Sequence, residues 1–189
     1  MNSQSPFAIE ISERVLASAR RGEERALEAI YRSFYDPAFQ LAWRMIGDRE
    51  LARDLVHDAL LKVFRQLHQF RADSPFWGWL RQVLVNECLM HLRRRQKVGQ
   101  EVEWHGDEHV DEQLRLPPEV TESGLLQSAL QSLPETTRVV IWLYHVEGYT
   151  HEEIAGLMQR TISFSKSQLA RGTRRLRELL MPQEEPAHV

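Results

Sequence analysis

From Ile11 onward apolar residues recur every three or four positions, and no stretch shows the two-residue alternation of a half-buried strand. The pattern predicts an all-α protein. Ser12 caps a short first helix ending at Arg20, and Arg21-Gly22 breaks it. A second helix begins near Glu23 and turns Leu27, Ile30, Tyr31 and Phe34 inward. Asp36-Pro37 is expected to bend or restart it, because proline lacks the N–H a helix interior uses. It continues through Phe39, Ala42, Trp43 and Ile46 to Gly47, a C-cap. Asp48 caps a third helix with Leu51, Leu55, Ala59, Val63 and Leu67 on its buried side and Asp54, His57, Asp58 and Lys62 on its solvated side. A polar loop over 69–74 leads to Ser74-Pro75, a cap followed by proline in the first turn. The fourth helix carries Phe76, Trp79, Leu80, Val83 and Leu84 and ends in the basic run Arg93-Arg94-Arg95-Gln96-Lys97.

Periodicity then lapses over 98–124, which gains acid and contains Pro117-Pro118. Fully extended, such a segment reaches about 80 Å at ~3.3 Å per residue. Helix resumes over 125–133, Pro134 interrupts it, and a further helix spans 135–147. The expected organisation is two small helical domains, 1–98 and 125–182, joined by an acidic flexible linker over 99–124 and followed by a tail, 183–189.

The last periodic stretch, THEEIAGLMQRTISFSKSQLARGTRRLRELL over 150–180, is organised differently. Thr150 and Glu153 form a capping box, and Ile154, Ala155, Leu157 and Met158 give the short helix an apolar face. A polar turn comes next, where Thr161 or Ser163 can cap a second helix. That helix has Leu169, Leu176 and Leu179/Leu180 on one side and Lys166, Arg171, Arg174, Arg175 and Arg177 around the rest. Short helix, tight turn and basic second helix make a helix-turn-helix, which sets its second helix in the DNA major groove. A merely solvated basic helix has the same local pattern.

Charge refines this picture once it is divided. The 189-residue chain has a formal net charge of −3. Residues 1–97 carry 16 Lys/Arg against 12 Asp/Glu, 98–124 carry 1 against 8, and 125–182 carry 7 against 5. Two basic blocks therefore flank an acidic segment, and DNA responds to the field of a face rather than to the whole-chain sum. No apolar run approaches the ~18 residues of a membrane span, and the N-terminus lacks a secretory pattern. Single Cys88 excludes an internal disulfide framework and fits a reducing compartment, so a cytoplasmic location is expected.

Candidate chemistry is sparse. Cys88/His91 and His105/His109 are pairs without the third and fourth ligands of a zinc site, so no metal and no cofactor are expected. There is no GxSxG, no glycine-rich phosphate loop and no Cys–His pair with an orienting neighbour. Asp54 and Asp58 lie one helical turn apart, where carboxylates more often meet a basic partner than perform acid–base catalysis. No catalytic residue is assigned, and an enzyme is not expected. The loop 69–74, beside Phe70, Phe76 and Trp77, instead offers stacking rings next to hydrogen-bond donors, the pairing that unstacked bases need. The same rings could simply fill a bundle; Trp77 and Trp79 cannot share one helix face, so one is more exposed.

The blocks ALEAIYRSFYDPAFQLAWRMIGDRELARDLVHDALLKVFRQLHQF and FWGWLRQVLVNECLMHLRRR, then LQSLPETTRVVIWLYHVEGYTHEEIAGLM and KSQLARGTRRLREL, together resemble an extracytoplasmic-function sigma factor of the sigma-70 family. The resemblance covers most of the chain outside the N-terminal arm, linker and tail. It implies a dissociable RNA polymerase subunit that directs initiation at specific promoters. Asp54, Leu55, His57, Asp58 and Leu61 would bind core RNA polymerase. Phe70, Arg71, Trp79, Asn86, Arg93 and Arg94 would melt the start-proximal promoter element and hold a flipped base. Ser163, Lys166, Ser167, Ala170 and Arg171 would read the upstream element, with Arg174 and Arg175 on phosphates. Promoter DNA and core polymerase are the implied partners, an anti-sigma factor is a further one, and no membrane is involved. The linker would thread through polymerase toward the RNA path.

Departures from the family pattern sharpen these expectations. Arg53 stands where a second acid is usual beside Asp54, and His57 where Gln is usual. Ser163-Phe164-Ser165-Lys166-Ser167-Gln168 replaces Gly-Thr-Val-Lys-Ser-Arg. Phe164 is expected to take over the apolar contact and Ser163 the cap, while Gln168 can pair with adenine. A stand-alone helix-turn-helix regulator is the alternative, and a protein-binding adaptor a third.

Overall fold

The computed structural model describes residues 9–99 and 122–180, and the side chains of these except 96–99 and 122–123. The middle of the acidic segment, with His105, His109 and Pro117-Pro118, lies outside the described residues, as do the N-terminal arm and the tail. Among the described residues the structure is all-helical, with no strand. The chain divides into two compact units, Met1–Arg95 and Gln96–Val189.

The first unit is built from α1 (Glu13–Arg20), α2 (Glu24–Ile46), α3 (Arg49–Gln66), a 3-10 turn (Leu67–Gln69) and α4 (Phe76–Gly99), whose last four residues run past the unit's end at Arg95. Local chemistry sets the boundaries. The Ser12 hydroxyl accepts from Val15 N–H, and the Asp48 carboxylate accepts from Glu50 and Leu51 N–H. Gly47 ends α2 at φ 85°, where a side chain would be strained, and donates to the Trp43 carbonyl. Pro75 stands just before α4, its carbonyl accepting from Gly78 N–H.

Pro37 neither ends nor restarts the second helix: α2 runs unbroken past it. The missing N–H costs one bond, and packing on both sides of it holds the helix. Phe34, Ala38, Leu41 and Ala42 are buried. Along the helix Tyr31, Tyr35, Phe39 and Trp43 stack in succession, with ring centroids 5.3, 6.3 and 6.4 Å apart. Arg49, opening α3, lies 4.8 Å from the Trp43 ring centroid, a cation–π contact joining the two helices' ends. α2 packs along α3. Phe34, Ile30, Leu41, Met45, Leu60, Leu80, Leu84 and Leu89 are fully buried, each contributing about 1.5–3 kcal/mol by leaving water.

The second unit holds α5 (Glu122–Gln131), α6 (Glu135–His145), α7 (His151–Met158) and α8 (Ile162–Leu180). α8 is its centre, packed by α5, α6 and α7. Buried Arg138 on α6 donates to the Gln131 carbonyl at 3.1 Å, tying the end of α5 to α6. Trp142 Nε1–H donates to buried Glu147 at 3.2 Å. Thr150 and Glu153 form both halves of the capping box on α7. α7 ends at Gln159 in the left-handed region, φ 54°, which makes room for the turn into α8.

Candidate functional site

On α3, Asp54, His57, Asp58 and Leu61 are all exposed and fall at i, i+3, i+4 and i+7, one continuous stripe. Leu61, 38% exposed, is the apolar member. Leu55, expected with them, is buried at 7% exposure and belongs to the core. The reason is angular: one residue past Asp54 the helix has turned about 100°, onto its buried side. Arg53 is paired with Glu50 on the same helix, so its reversed charge is balanced locally. The stripe borders a groove of about 440 Å³ lined by Asp58, Leu61, Lys62, Arg65, Gln66 and Glu87. Across it the Lys62 ammonium bonds half-buried Glu87 on α4 at 2.7 Å, linking α3 to α4.

The loop between α3 and α4 exposes Gln69, Arg71, Ala72, Asp73 and Ser74. Phe70 does not stand among them. It is 6% exposed, stacked on Trp79 at 5.2 Å and edge-on to Phe76 at 5.4 Å. An apolar ring at the start of a loop finds more contact under the loop than over it. Trp77 is buried against Phe34, its ring parallel at 5.9 Å, while Trp79 is the half-exposed member of the pair. Trp79, Asn86 and Arg93 recur every seven residues, so they share a face of α4, and all three are half-buried. Arg93 Nε–H donates to the Leu89 carbonyl at 3.3 Å, and Arg94 is exposed. Burial, then the charges of Arg95 and Arg94, pushes the His91 pKa down. Ala72 has φ 60°, a conformation that costs a side-chain-bearing residue about 1–2 kcal/mol. Cys88, the one cysteine, is fully buried in α4 and its thiol is pushed up to about 12, chiefly by burial. Burial keeps this thiol protonated near neutral pH.

The loop has one support that sequence reasoning missed. Arg20, in the last turn of α1, donates from Nη2 to the Phe70 carbonyl at 2.6 Å and from Nε to the Leu67 carbonyl at 3.4 Å. Its acceptors are main-chain groups 47 and 50 residues onward. A backbone acceptor leaves no signature in a sequence.

α8 begins at Ile162, two residues ahead of the start that a Ser163 cap would give. Thr161, not Ser163, is the cap: its hydroxyl accepts from Phe164 N–H at 3.1 Å. Ser163, Lys166, Ser167, Ala170, Arg171 and Arg174 are exposed on one face. Half-buried Arg175 pairs with Glu178 at 3.3 Å, a contact of the weak surface kind. The inward stripe is polar. Ser165 is fully buried with its Oγ 2.9 Å from His151 Nδ1, and Gln168 is buried with its Oε1 accepting from the Thr137 hydroxyl at 2.6 Å. Gln168 therefore does not reach a base edge, and Phe164 does not take over the core position. Phe164 is half-exposed, with the Arg160 guanidinium 5.7 Å from its ring centroid. Hydrogen-bonded partners on α6 and α7 make the two polar side chains tolerable inside.

Comparison with known proteins adds to this geometry. Residues 30–98 match the family described as Sigma-70 region 2, and residues 123–176 match Sigma-70, region 4. The chain is 24% identical over 184 residues to the RNA polymerase sigma-H factor of Pseudomonas aeruginosa, covering 92% of this chain and 95% of that one. It is 28% identical over 166 residues to the ECF RNA polymerase sigma factor SigE of Mycolicibacterium smegmatis, covering 84% of this chain and 64% of that one. Among solved structures it resembles RpoE from Bartonella quintana, crystallised with the anti-sigma factor NepR. The TM-score is 0.54 at 24% identity, covering 82% of this chain and 97% of that one. That last likeness is one of fold.

Proposed function

The chain belongs to the sigma-70 family as an RNA polymerase sigma factor of the extracytoplasmic-function class, and from that premise we propose how its faces divide the work. The stand-alone regulator falls away, because both halves match regions of one family. Asp54, His57, Asp58 and Leu61 form the polymerase-binding face. Two carboxylates around an exposed leucine suit a partner surface with basic side chains ringing an apolar contact. The single observation that carries this reading is that these four residues stand exposed together on α3 while their neighbours Leu55, Ala59 and Val63 are buried.

Arg71 and the exposed loop, with Trp79, Asn86, Arg93 and Arg94 beside it, capture a base flipped from the start-proximal promoter element. Unstacking costs a few kcal/mol, which stacking and hydrogen bonding must offset. Phe70 acts here only from beneath, as the ring that supports Trp79. Ser163, Lys166, Ser167, Ala170 and Arg171 read the upstream element from the major groove; Arg174 and Arg175 hold phosphates, which position without specifying. The protein acts as a polymerase subunit in the cytoplasm, contributing no catalytic group of its own. No helix among the described residues is long and apolar enough to cross a membrane. An anti-sigma factor, like the one that accompanies the Bartonella RpoE, would regulate it by covering these faces.

Co-elution with bacterial core RNA polymerase on a sizing column tests the reading. The wild-type chain is expected to co-elute stoichiometrically, and Asp54→Arg with Asp58→Arg to abolish co-elution while far-ultraviolet circular dichroism stays unchanged. A double mutant that still co-purifies would place the docking face elsewhere.

A further inference from the structure

We propose that Arg20 is a positioning residue for the base-capturing loop, acting from a helix that lies before the matched Sigma-70 region 2. The proposal rests on the reading of 69–74 as that loop. α1 packs against α2 and against the 3-10 turn Leu67–Gln69. Its last residue bridges the two carbonyls that bracket the turn, Leu67 and Phe70. Those carbonyls sit where helical bonding has run out: Phe70 N–H already turns back to the Leu67 carbonyl at 3.3 Å. A guanidinium presents donors in a rigid fork, so the two contacts fix both the distance and the twist across the turn.

The exposed part of the loop takes its course from this clasp. Directly after the Phe70 carbonyl the chain emerges as Arg71 and then Ala72, whose φ of 60° is held against an intrinsic preference. From the other side, the Phe70 ring is wedged between Phe76 and Trp79. Arg20 thus holds the main chain of Phe70 while α4 holds its ring, and the exposed loop leaves from a fixed point in a fixed direction. A stacking site misplaced by even an ångström loses its hold on a base, so the clasp acts on capture without touching DNA. Arg20 is exposed, so removing it leaves no cavity in the core.

The test uses the full chain and single-stranded oligonucleotides carrying the start-proximal element of a promoter selected by the wild-type holoenzyme. Binding to polymerase holoenzyme is read by fluorescence anisotropy. Arg20→Ala is expected to weaken oligonucleotide binding about tenfold, the scale of a lost charge-assisted contact, with core-polymerase co-elution and the thermal midpoint retained. Arg20→Lys, whose single ammonium can reach one carbonyl only, is expected to fall between. Trp79→Ala serves as the control on the underlying reading. Wild-type binding by Arg20→Ala alongside a loss in Trp79→Ala would overturn the positioning role and leave the loop reading intact. Wild-type binding by Trp79→Ala would remove the loop reading and this proposal with it. A parallel fall of midpoint, co-elution and oligonucleotide binding in both Arg20 variants would make Arg20 a structural residue only, against the proposal.

Discussion

Gly172 has no side chain because α8 lies too close to α6 there: a Cβ would meet Ile141 Cδ1 and Thr137 Cγ2 nearer than real Cβ atoms approach. Replacing it with alanine improves helix propensity by about 1 kcal/mol but overpacks the crossing by about 1–3 kcal/mol, and the Thr methyl, on a stiff β-branched residue, cannot swing away. Gly172→Ala is therefore expected to lower stability by roughly 1 kcal/mol, measured as a lower midpoint in chemical unfolding. Cys88 gives a second outcome at this scale. Its thiol is raised from 9.0 to about 12 in the folded chain, so its contribution is complete below pH 9. It is lost as pH rises toward 12, where the unfolded thiol ionises and the folded one does not. Thiol reagents are expected to leave Cys88 unmodified until the protein unfolds, and Cys88→Ala to flatten the fall in stability above pH 9. Rapid modification of the native protein would show that the helix face around Cys88 opens.

The element scale separates what the sequence made legible from what it did not. Ser12, Asp48 and Thr150 are caps in the structure as in the pattern, and Gly47 ends its helix, because capping is decided within three or four residues. The stripe of α3 was legible for the same reason, except Leu55, which sits at its edge. α8 was harder. Lys166 and Ser167 face out while Ser165 and Gln168 face in, and both sets are polar, so hydropathy cannot tell them apart. What distinguishes them is a hydroxyl on α6, 31 residues away, and an imidazole on α7. Likewise Phe70 reads either as a base-stacking ring or as filling for the bundle, and Pro37 as a bend or a restart, until the packing around them is known. The inward pairing has a consequence for specificity. Gln168→Ala leaves the Thr137 hydroxyl without its partner, a loss of about 1–3 kcal/mol for a buried group. It is thus expected to lower the unfolding midpoint while leaving the ranking of upstream-element sequences unchanged in a competition assay. A changed ranking would return Gln168 to the reading face.

At the scale of the whole molecule, the net charge of −3 conceals an uneven distribution of charge within and between two units. The first unit ends in a basic run and carries the acidic stripe of α3, while the second presents the cations of α8. Asp54 and Asp58 lie in one unit and Lys166 and Arg171 in the other, and they are assigned to different partners, polymerase and DNA, so their effects are expected to add. Lys166→Ala with Arg171→Ala is expected to reduce binding to the preferred upstream element more than to scrambled DNA and to leave polymerase co-elution unchanged. Each base-reading contact is worth about 1–3 kcal/mol of discrimination. Arg174→Ala should act differently, weakening binding to every sequence about equally and reducing the salt slope by about one phosphate contact. Joining the α8 pair to Asp54→Arg and Asp58→Arg should give a chain deficient in both assays by the separate amounts. Equal loss on preferred and scrambled DNA from the α8 pair would mean that Lys166 and Arg171 touch phosphates only, leaving base readout to Ser163, Ser167 and Ala170. A combined loss well beyond the separate ones would mean that the polymerase-bound state couples the units, and promoter choice would then be a property of the holoenzyme rather than of α8 by itself.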